Sequence, residues 1–420
     1  MQGFHIAASL GGLSVALALT TGAPVRAQTA AAPQTPYTLT LEEALMLARS
    51  DGPLLRAKGY DVAATRAGEV TAGLIPNPQL APTLGNLGTR SPTQYSAVLS
   101  QTIELGGKRQ RRLASARAGT RTATYELEDL RRQVDLQVQQ AFLGVLVAQA
   151  SLTLAQDHLQ GLDQVERLQR LRAEKGVISE LELLRIQGQR FTFERDVADA
   201  RQALRAAKIG LRSIVAPARI PEVYEVAGEL AYREVTVDRA ALIKLAAEQR
   251  PDLEAAESAL EKSLADADLA RANAIPDITP QIGYTRSADN NDLSSLGFSI
   301  PLPLFDRNQG EIARTAAQVE RVRVLRDALL LQVRAEVELA HAALLSARAK
   351  VLSLRDEYLP KAKIVRERSE AAYRRGGTSL LDYLDAERAY RETARTYISS
   401  LADHALATYQ LEAAVGRPLH

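Results

Sequence analysis

The stretch YSAVLSQTIEL, Tyr95–Leu105, sets Tyr95, Ala97, Leu99, Ile103 and Leu105 in alternation with Ser96, Val98, Ser100, Thr102 and Glu104. A second stretch repeats the pattern. Ile278, Pro280, Ile282 and Tyr284 alternate with Thr279, Gln281, Gly283 and Thr285, and Leu296, Phe298, Ile300, Leu302 and Leu304 alternate with small or polar residues. Alternation with period two marks a β-strand, whose successive side chains point to opposite faces. Each stretch predicts a hairpin, one over about 76–105 and one over about 276–304, turning near Gly85–Pro92 and Ser287–Asp292. Strands of about ten residues with one apolar face and one Ser/Thr/Gln/Gly face match a membrane β-barrel. An isolated hairpin of this kind reads better as a half-buried sheet on a soluble core, but here no further segment is left to cover the apolar face.

Everything around the hairpins reads as helix. Two units, 38–216 and 238–416, overlay at an offset close to 200: Ile75-Pro76 answers Ile275-Pro276, Leu105 answers Leu304, and Gly176 answers Gly376. Each unit predicts a short helix (about 40–50; 238–248), a medium helix (53–74; 251–274), the hairpin, a very long helix (108–174; 308–374) and a last helix (179–214; 379–415). Residues 28–37 are an N-terminal tail, 217–237 a linker with Pro217 and Pro221, and 417–420 a C-terminal tail. Along the long helices, apolar residues recur at spacings of three and four, from Leu127 through Val134, Val138 and Val145 to Leu162, and from Leu329 through Val333, Val337 and Val351 to Leu354 and Tyr358. These are coiled-coil seams. A helix of this length reaches roughly 100 Å. The last helix returns antiparallel after Gly176, or after Gly376-Gly377, where glycine can take a left-handed cap. The fold expected is therefore mainly α with a small β part: long antiparallel coiled-coil helices forming a tunnel, plus four transmembrane strands per chain.

Composition narrows the function. There is no Cys, so thiolate metal sites, Cys nucleophiles and bacterial lipidation are excluded, and the five histidines have no metal-site spacing. No P-loop, HExxH or G-x-S-x-G is present, so neither an enzyme nor a cofactor is expected. With 52 basic against 50 acidic residues, nothing favours nucleic acid. Ile6–Leu19 is apolar, and Val25-Arg26-Ala27 ends a predicted signal peptide over 1–27. No later stretch is expected to cross a membrane as a helix, because charges recur. Two hairpins supply four strands, which cannot close a barrel, and open edges are not tolerated in lipid. Closure requires other copies, and a trimer supplies twelve strands.

These features together resemble the TolC family of outer-membrane efflux channels. The resemblance covers essentially all of the chain after the signal peptide and rests on the duplicated order of elements with three stretches: LSQTIELGGKRQRR (Leu99–Arg112), PLPLFDRNQGEI (Pro301–Ile312) and YRRGGTSLLDYLDAERAY (Tyr373–Tyr390). The first two are similar to the cation-efflux, CzcC-like branch. The resemblance implies a homotrimeric duct in outer-membrane lipid with a periplasmic extension, docked on a periplasmic adaptor and an inner-membrane pump of the resistance-nodulation-division type, passing divalent heavy-metal cations. A periplasmic coiled-coil adaptor or scaffold without a channel is the alternative. Asp382 and Asp385 match acidic rings at the channel entrance, with Tyr373 at a latching position and Glu182 the first unit's counterpart of Asp382. Acidic residues also favour helix N-termini for reasons unrelated to a gate. The turns holding Gly176, Val177 and Ser179, and Gly376, Gly377, Thr378 and Ser379, are the expected adaptor contacts. Gly106 and Gly107, and Pro301, Pro303 and Asp306, mark the strand-to-helix junctions, where glycine or an Asp cap redirects the chain. The basic run Lys108, Arg109, Arg111 and Arg112 sits at a helix start, which the macrodipole disfavours. It reads either as a contact to anionic groups at the membrane or as a solvated face.

Overall fold

The computed structural model describes residues 37–88, 92–287, 289 and 291–419, so the expected signal peptide and all of the tail except Tyr37 lie outside the described residues. The first unit runs β1 (Tyr37–Leu39), α1 (Leu41–Asp51), α2 (Pro53–Ala72), β2 (Gln79–Gly85), β3 (Gln94–Ser100), α3 (Lys108–Glu174) and α4 (Glu180–Val215). After β4 (Tyr224–Val226), the order recurs as α5 (Arg239–Gln249), α6 (Pro251–Asn273), β5 (Thr279–Arg286), β6 (Asp292–Ser299), α7 (Gln309–Ser353), α8 (Leu359–Arg374) and α9 (Leu380–Val415). Local chemistry sets the boundaries. Thr40, Ser179, Asp238 and Ser379 each accept a hydrogen bond from a first-turn N–H, and Pro53 and Pro251 open α2 and α6, where a missing N–H costs nothing.

The seams are buried as their spacing requires. Val138 and Val337 are fully enclosed, in two separate cores of parallel composition. The first core gathers side chains of α1, α3 and α4; the second gathers those of α5, α7 and α9. The segment expected to be a linker is part of the first core. β4 pairs in parallel with β1, and Ile220, Tyr224 and Val226 are buried there. This core also accounts for an unexpected property of α3, an 18-residue window of mean hydropathy 1.4, apolar enough by composition to cross a membrane. No charged residue stands between Asp135 and Asp157, contrary to the expectation that charges recur throughout. Val138, Phe142, Val145 and Leu146 from that stretch are buried against α1, α4 and β4.

The second long helix carries a feature its sequence did not announce. It runs from Gln309 to Arg374, but between α7 and α8 residues Leu354–Tyr358 form a π turn in which the Leu359 N–H donates to the Leu354 carbonyl. Two facts explain it. Seam positions Val134 and Val333, Val138 and Val337, and Ala148 and Ala347 correspond at an offset of 199, whereas Gly176 and Gly376, and Ser179 and Ser379, correspond at 200. One extra residue must be absorbed between them, and a π turn absorbs one residue. Pro360 then follows with no N–H to donate, at a point where the regular ladder is already interrupted. Tyr358, placed on the seam by spacing, is 54% exposed as a result.

Where the two units meet at the end of α9, two arginines reach its last carbonyls. Arg132 of α3 donates to Ala413 (2.6 Å), and Arg250, only 2% exposed, donates to Ala414 (3.1 Å). Arg250 also holds Asp252 (2.6 Å) and Glu336 (2.5 Å). Burial alone would push both carboxyls up, but the Arg250 guanidinium holds each below the ordinary carboxylate range. A carboxyl depressed in the folded state stabilises it above the unfolded pKa, and that contribution is lost as pH falls through the folded value. Thermal midpoints are therefore expected to be level near neutrality and to fall as pH drops below about 4, the ordinary carboxylate range. Arg250→Met should lower the neutral midpoint and flatten that acid limb, which differential scanning at pH 7, 5, 4 and 3 would reveal.

Candidate functional site

The four longer strands form one antiparallel sheet in the order β2-β3-β5-β6, so the two hairpins are joined through β3 and β5. The registers put Leu80 opposite Leu99 and Leu84 opposite Tyr95, then Leu99 opposite Ile282 and Ala97 opposite Tyr284, then Ile282 opposite Leu296 and Pro280 opposite Phe298. Because neighbours directly opposite share a face, these apolar side chains form one continuous surface across all four strands. It is uncovered: Leu80 is 67%, Leu296 83% and Phe298 73% exposed. The opposite face carries Ala81, Thr83, Ser96, Val98, Gly283, Thr285, Ser295 and Gly297. A large apolar surface left open on a folded chain marks a contact with lipid or protein. β2 falls within the first hairpin expected at about 76–105, and its Leu80, Pro82 and Leu84 lie on the apolar face. The last strand is shorter than expected. β6 stops at Ser299, and Ile300, Leu302 and Leu304 follow it without a ladder partner among the described residues.

The sheet is fixed to the helices by a junction that uses both units. Gly106 and Gly107 adopt φ of 68° and 70°, and a Cβ on Gly106 would lie 2.8 Å from Ile275 Cδ1 and 3.2 Å from the Ala272 carbonyl. Both glycines suit this left-handed backbone conformation, and the first is also required by close approach. Asp277 of the second unit accepts from the Leu105 N–H (2.9 Å) and from Lys108 Nζ (2.6 Å). The rest of the basic run closes the end of α2. Arg109 donates to the Gly73 carbonyl (2.5 Å), and Arg112 donates to Ala72 (2.9 Å) and Leu74 (3.0 Å) while pairing with Glu104 (2.6 Å). A helix C-terminus favours cations, so charges misplaced for α3 are well placed for α2. Neither reading of this run from sequence anticipated that role for Arg109 and Arg112. In the second unit, Asp306 does not cap the helix as expected; it accepts the Asn308 N–H (2.8 Å), and Asn308 itself is the N-cap, with φ 60° and ψ 20°. Its geometry matches that of Gly107 (φ 70°, ψ 23°), which asparagine tolerates better than other side-chain-bearing residues. Pro301 and Pro303 lie exposed in the irregular approach to it.

At the other end, the two tip turns share one backbone design. Val177 N–H donates to the Arg172 carbonyl and Gly377 N–H to the Ala372 carbonyl, each closing a Schellman-type cap around Gly176 (φ 68°) or Gly376 (φ 78°). Ser179 and Ser379 then cap α4 and α9. Arg172 donates to the Arg374 carbonyl, tying one turn to the other. Tyr373 is buried, stacks on Tyr383 at 5.5 Å and donates to Glu182 at 3.4 Å, so two of the residues selected from sequence meet across the units. Burial, reinforced by Glu182, pushes the Tyr373 phenol well above its ordinary range. Asp382 and Asp385 are both exposed on α9 but are held differently. Asp382 closes a capping box, accepting from the Ser379 N–H and the hydroxyls of Ser379 (2.7 Å) and Thr378 (2.9 Å), which holds it below the usual carboxylate range. Asp385 faces Arg388, at 3.7 Å. The junction residue Asp277 was not singled out from sequence, because its role depends on a partner 169 residues away. Removing it leaves the Lys108 ammonium buried without its partner, so Asp277→Ala should cost on the order of 3 kcal/mol. Adding Lys108→Met should recover much of that loss, as measured by thermal unfolding of the purified protein.

Comparison with known proteins places this architecture. The sequence profile of the family described as "Outer membrane efflux protein" matches residues 45–216 and 242–417, one stretch in each unit. The chain is 28% identical over 385 residues to the cobalt-zinc-cadmium resistance protein CzcC of Cupriavidus metallidurans, covering 91% of this chain and 90% of that one. Its fold is similar to crystal structures of CusC (TM-score 0.76, 21% identity, 90% and 92% covered) and of the open Neisseria gonorrhoeae MtrE outer membrane channel (TM-score 0.75, 19% identity, 90% and 89% covered). The chain belongs to the outer membrane efflux protein family.

Proposed function

We propose that three copies of this chain close their sheets into a 12-stranded barrel in the outer membrane and continue it as a helical tunnel into the periplasm, forming the passive exit duct of a tripartite efflux system. The observation that carries this reading is the continuous exposed apolar face across β2, β3, β5 and β6, with Leu296 and Phe298 at the outer edge. The β3–β5 pairing, extended by the Ile103–Ile278 bridge, runs from Tyr95 to Ile103, enough to span an apolar band about 25 Å tall. A soluble adaptor or scaffold has no use for that face, and in water it would be an aggregation hazard. The polar face of the sheet then lines a water-filled lumen, and no catalysis is asked of the chain. Divalent heavy-metal cations are the proposed cargo, supported by the similarity to a cobalt-zinc-cadmium resistance protein over nine-tenths of both chains. An adaptor protein at the tip turns and an inner-membrane pump of the resistance-nodulation-division type complete the proposed system.

The entrance lies at the tips, with Asp382 and Asp385 repeated around the axis and Tyr373 bonded to Glu182 as the closing contact. Because Asp382 already serves its own helix cap, Asp385 is the cleaner test of the acidic ring. In planar bilayers, the purified protein should insert from detergent and conduct. Asp385→Ala should raise conductance and relieve block by multivalent cations, with a larger effect in the Asp382→Ala, Asp385→Ala pair. A protein that is monomeric and soluble without detergent would overturn the duct. In cells, deletion should sensitise to cobalt, zinc or cadmium, and unchanged metal tolerance alongside altered drug tolerance would reassign the cargo.

A further inference from the structure

The sheet ends in two unpaired edges, and the duplication within the chain specifies how one copy's edge meets the next. Gln79 pairs with Ser100 at the base of the first hairpin, and Thr279 pairs with Ser299 at the base of the second. Gln79 therefore corresponds to Thr279, and Ser100 to Ser299. Between the hairpins, Val98 lies opposite Gly283, Leu99 opposite Ile282 and Ser100 opposite Gln281. Building on the barrel reading above, we propose that β6 of one copy pairs with β2 of a second copy in this same register, with Gly297 opposite Thr83, Phe298 opposite Pro82 and Ser299 opposite Ala81. Ile300 and Leu302, which lack ladder partners among the described residues, then continue along Leu80 and Pro78.

Three independent features agree with this register. The first is direction: each neighbouring pair in β2-β3-β5-β6 is antiparallel, so β2 and β6 run oppositely and their junction is antiparallel as well. The second is backbone phase. Gln101 and Ile103 donate to Pro280 and Ile278, so odd-numbered residues of the β3 segment point their backbone groups at β5 and even-numbered ones at β2. Antiparallel pairing then turns the even-numbered groups of β2 and of β6 toward the free edges, and the proposed register sets even opposite even, keeping Leu296 and Phe298 on the same face as Leu84 and Pro82. The third is side-chain size on the polar face. Val98 faces a glycine, Gly283, and in the proposed junction Gly297 faces the equally β-branched Thr83. Gly297 has no atom within 4 Å of an added Cβ, so a neighbour's side chain has room beside it. A one-residue slip would break both face and phase; a slip by two would preserve them but separate Gly297 from Thr83.

A chain with no cysteine allows a clean test. Odd-numbered pairs at the junction are non-hydrogen-bonded, with Cα atoms about 4.5 Å apart, close enough for a disulfide. Thr83→Cys with Gly297→Cys, and Ala81→Cys with Ser299→Cys, should oxidise in outer membranes to reducible dimers and trimers on denaturing gels. Thr83→Cys with Ser295→Cys, and Thr83→Cys with Ser299→Cys, should cross-link at least tenfold less. Preferential cross-linking of either shifted pair would overturn the register while leaving barrel closure intact. If none of the four variants cross-links although each reaches the membrane at parental levels, closure by a second copy fails, and the barrel reading with it.

Discussion

The pairing of β3 with β5 is the contact on which the rest of the architecture depends. Among the described residues it is where the strands of the two units meet, and it converts two hairpins, each marginal alone, into a single four-stranded sheet. Its register sets apolar against apolar, so a pattern written separately into two distant stretches becomes one surface. It also determines where the helices begin, because Asp277, just before β5, reaches back to Leu105 and Lys108 at the start of α3. Shifting this pairing by one residue would turn the apolar face inward and pull the buried ammonium from its carboxylate.

Arginines supply a second recurring device. Arg109 and Arg112 end α2, Arg132 and Arg250 end α9, and Arg172 ends α8 at the tip. In each case the last carbonyls of a helix, which have no partner along their own axis, receive guanidinium donors from outside that helix. Arg132, Arg172 and Arg250 make these bonds between parts of the chain far apart in sequence. A composition nearly balanced in charge thus conceals a directional use of its cations. Many of these contacts hold helix ends rather than forming a basic surface.

Much of this was legible in the sequence because periodicity is a local property. The long helices, the hairpins and the duplicated order follow from spacings of three, four and two, and α3 begins and ends where its sequence indicates. Details that depend on a distant partner were not legible. β4 lies in a stretch with the proline content of a linker and becomes a strand only because β1 lies beside it. At the tips, Tyr373 and Glu182 were both recognised as candidates, but the hydrogen bond joining them depends on the apolar cluster that gathers residues of α3, α4, α8 and α9 there. The bonds of Asp382 to Thr378 and Ser379 are local and could have been anticipated from the capping pattern.

The π turn before Pro360 gives the two units different mechanical characters. α3 is an unbroken rod of 67 residues, with side chains buried along much of its length. Its counterpart carries a π turn, beyond which α8 buries only Tyr373. Duplication therefore produced one regular helix and one with an interrupted hydrogen-bond ladder from the same plan. In the proposed assembly, a force applied at the tips would be borne unequally by the two kinds, despite their nearly identical turns.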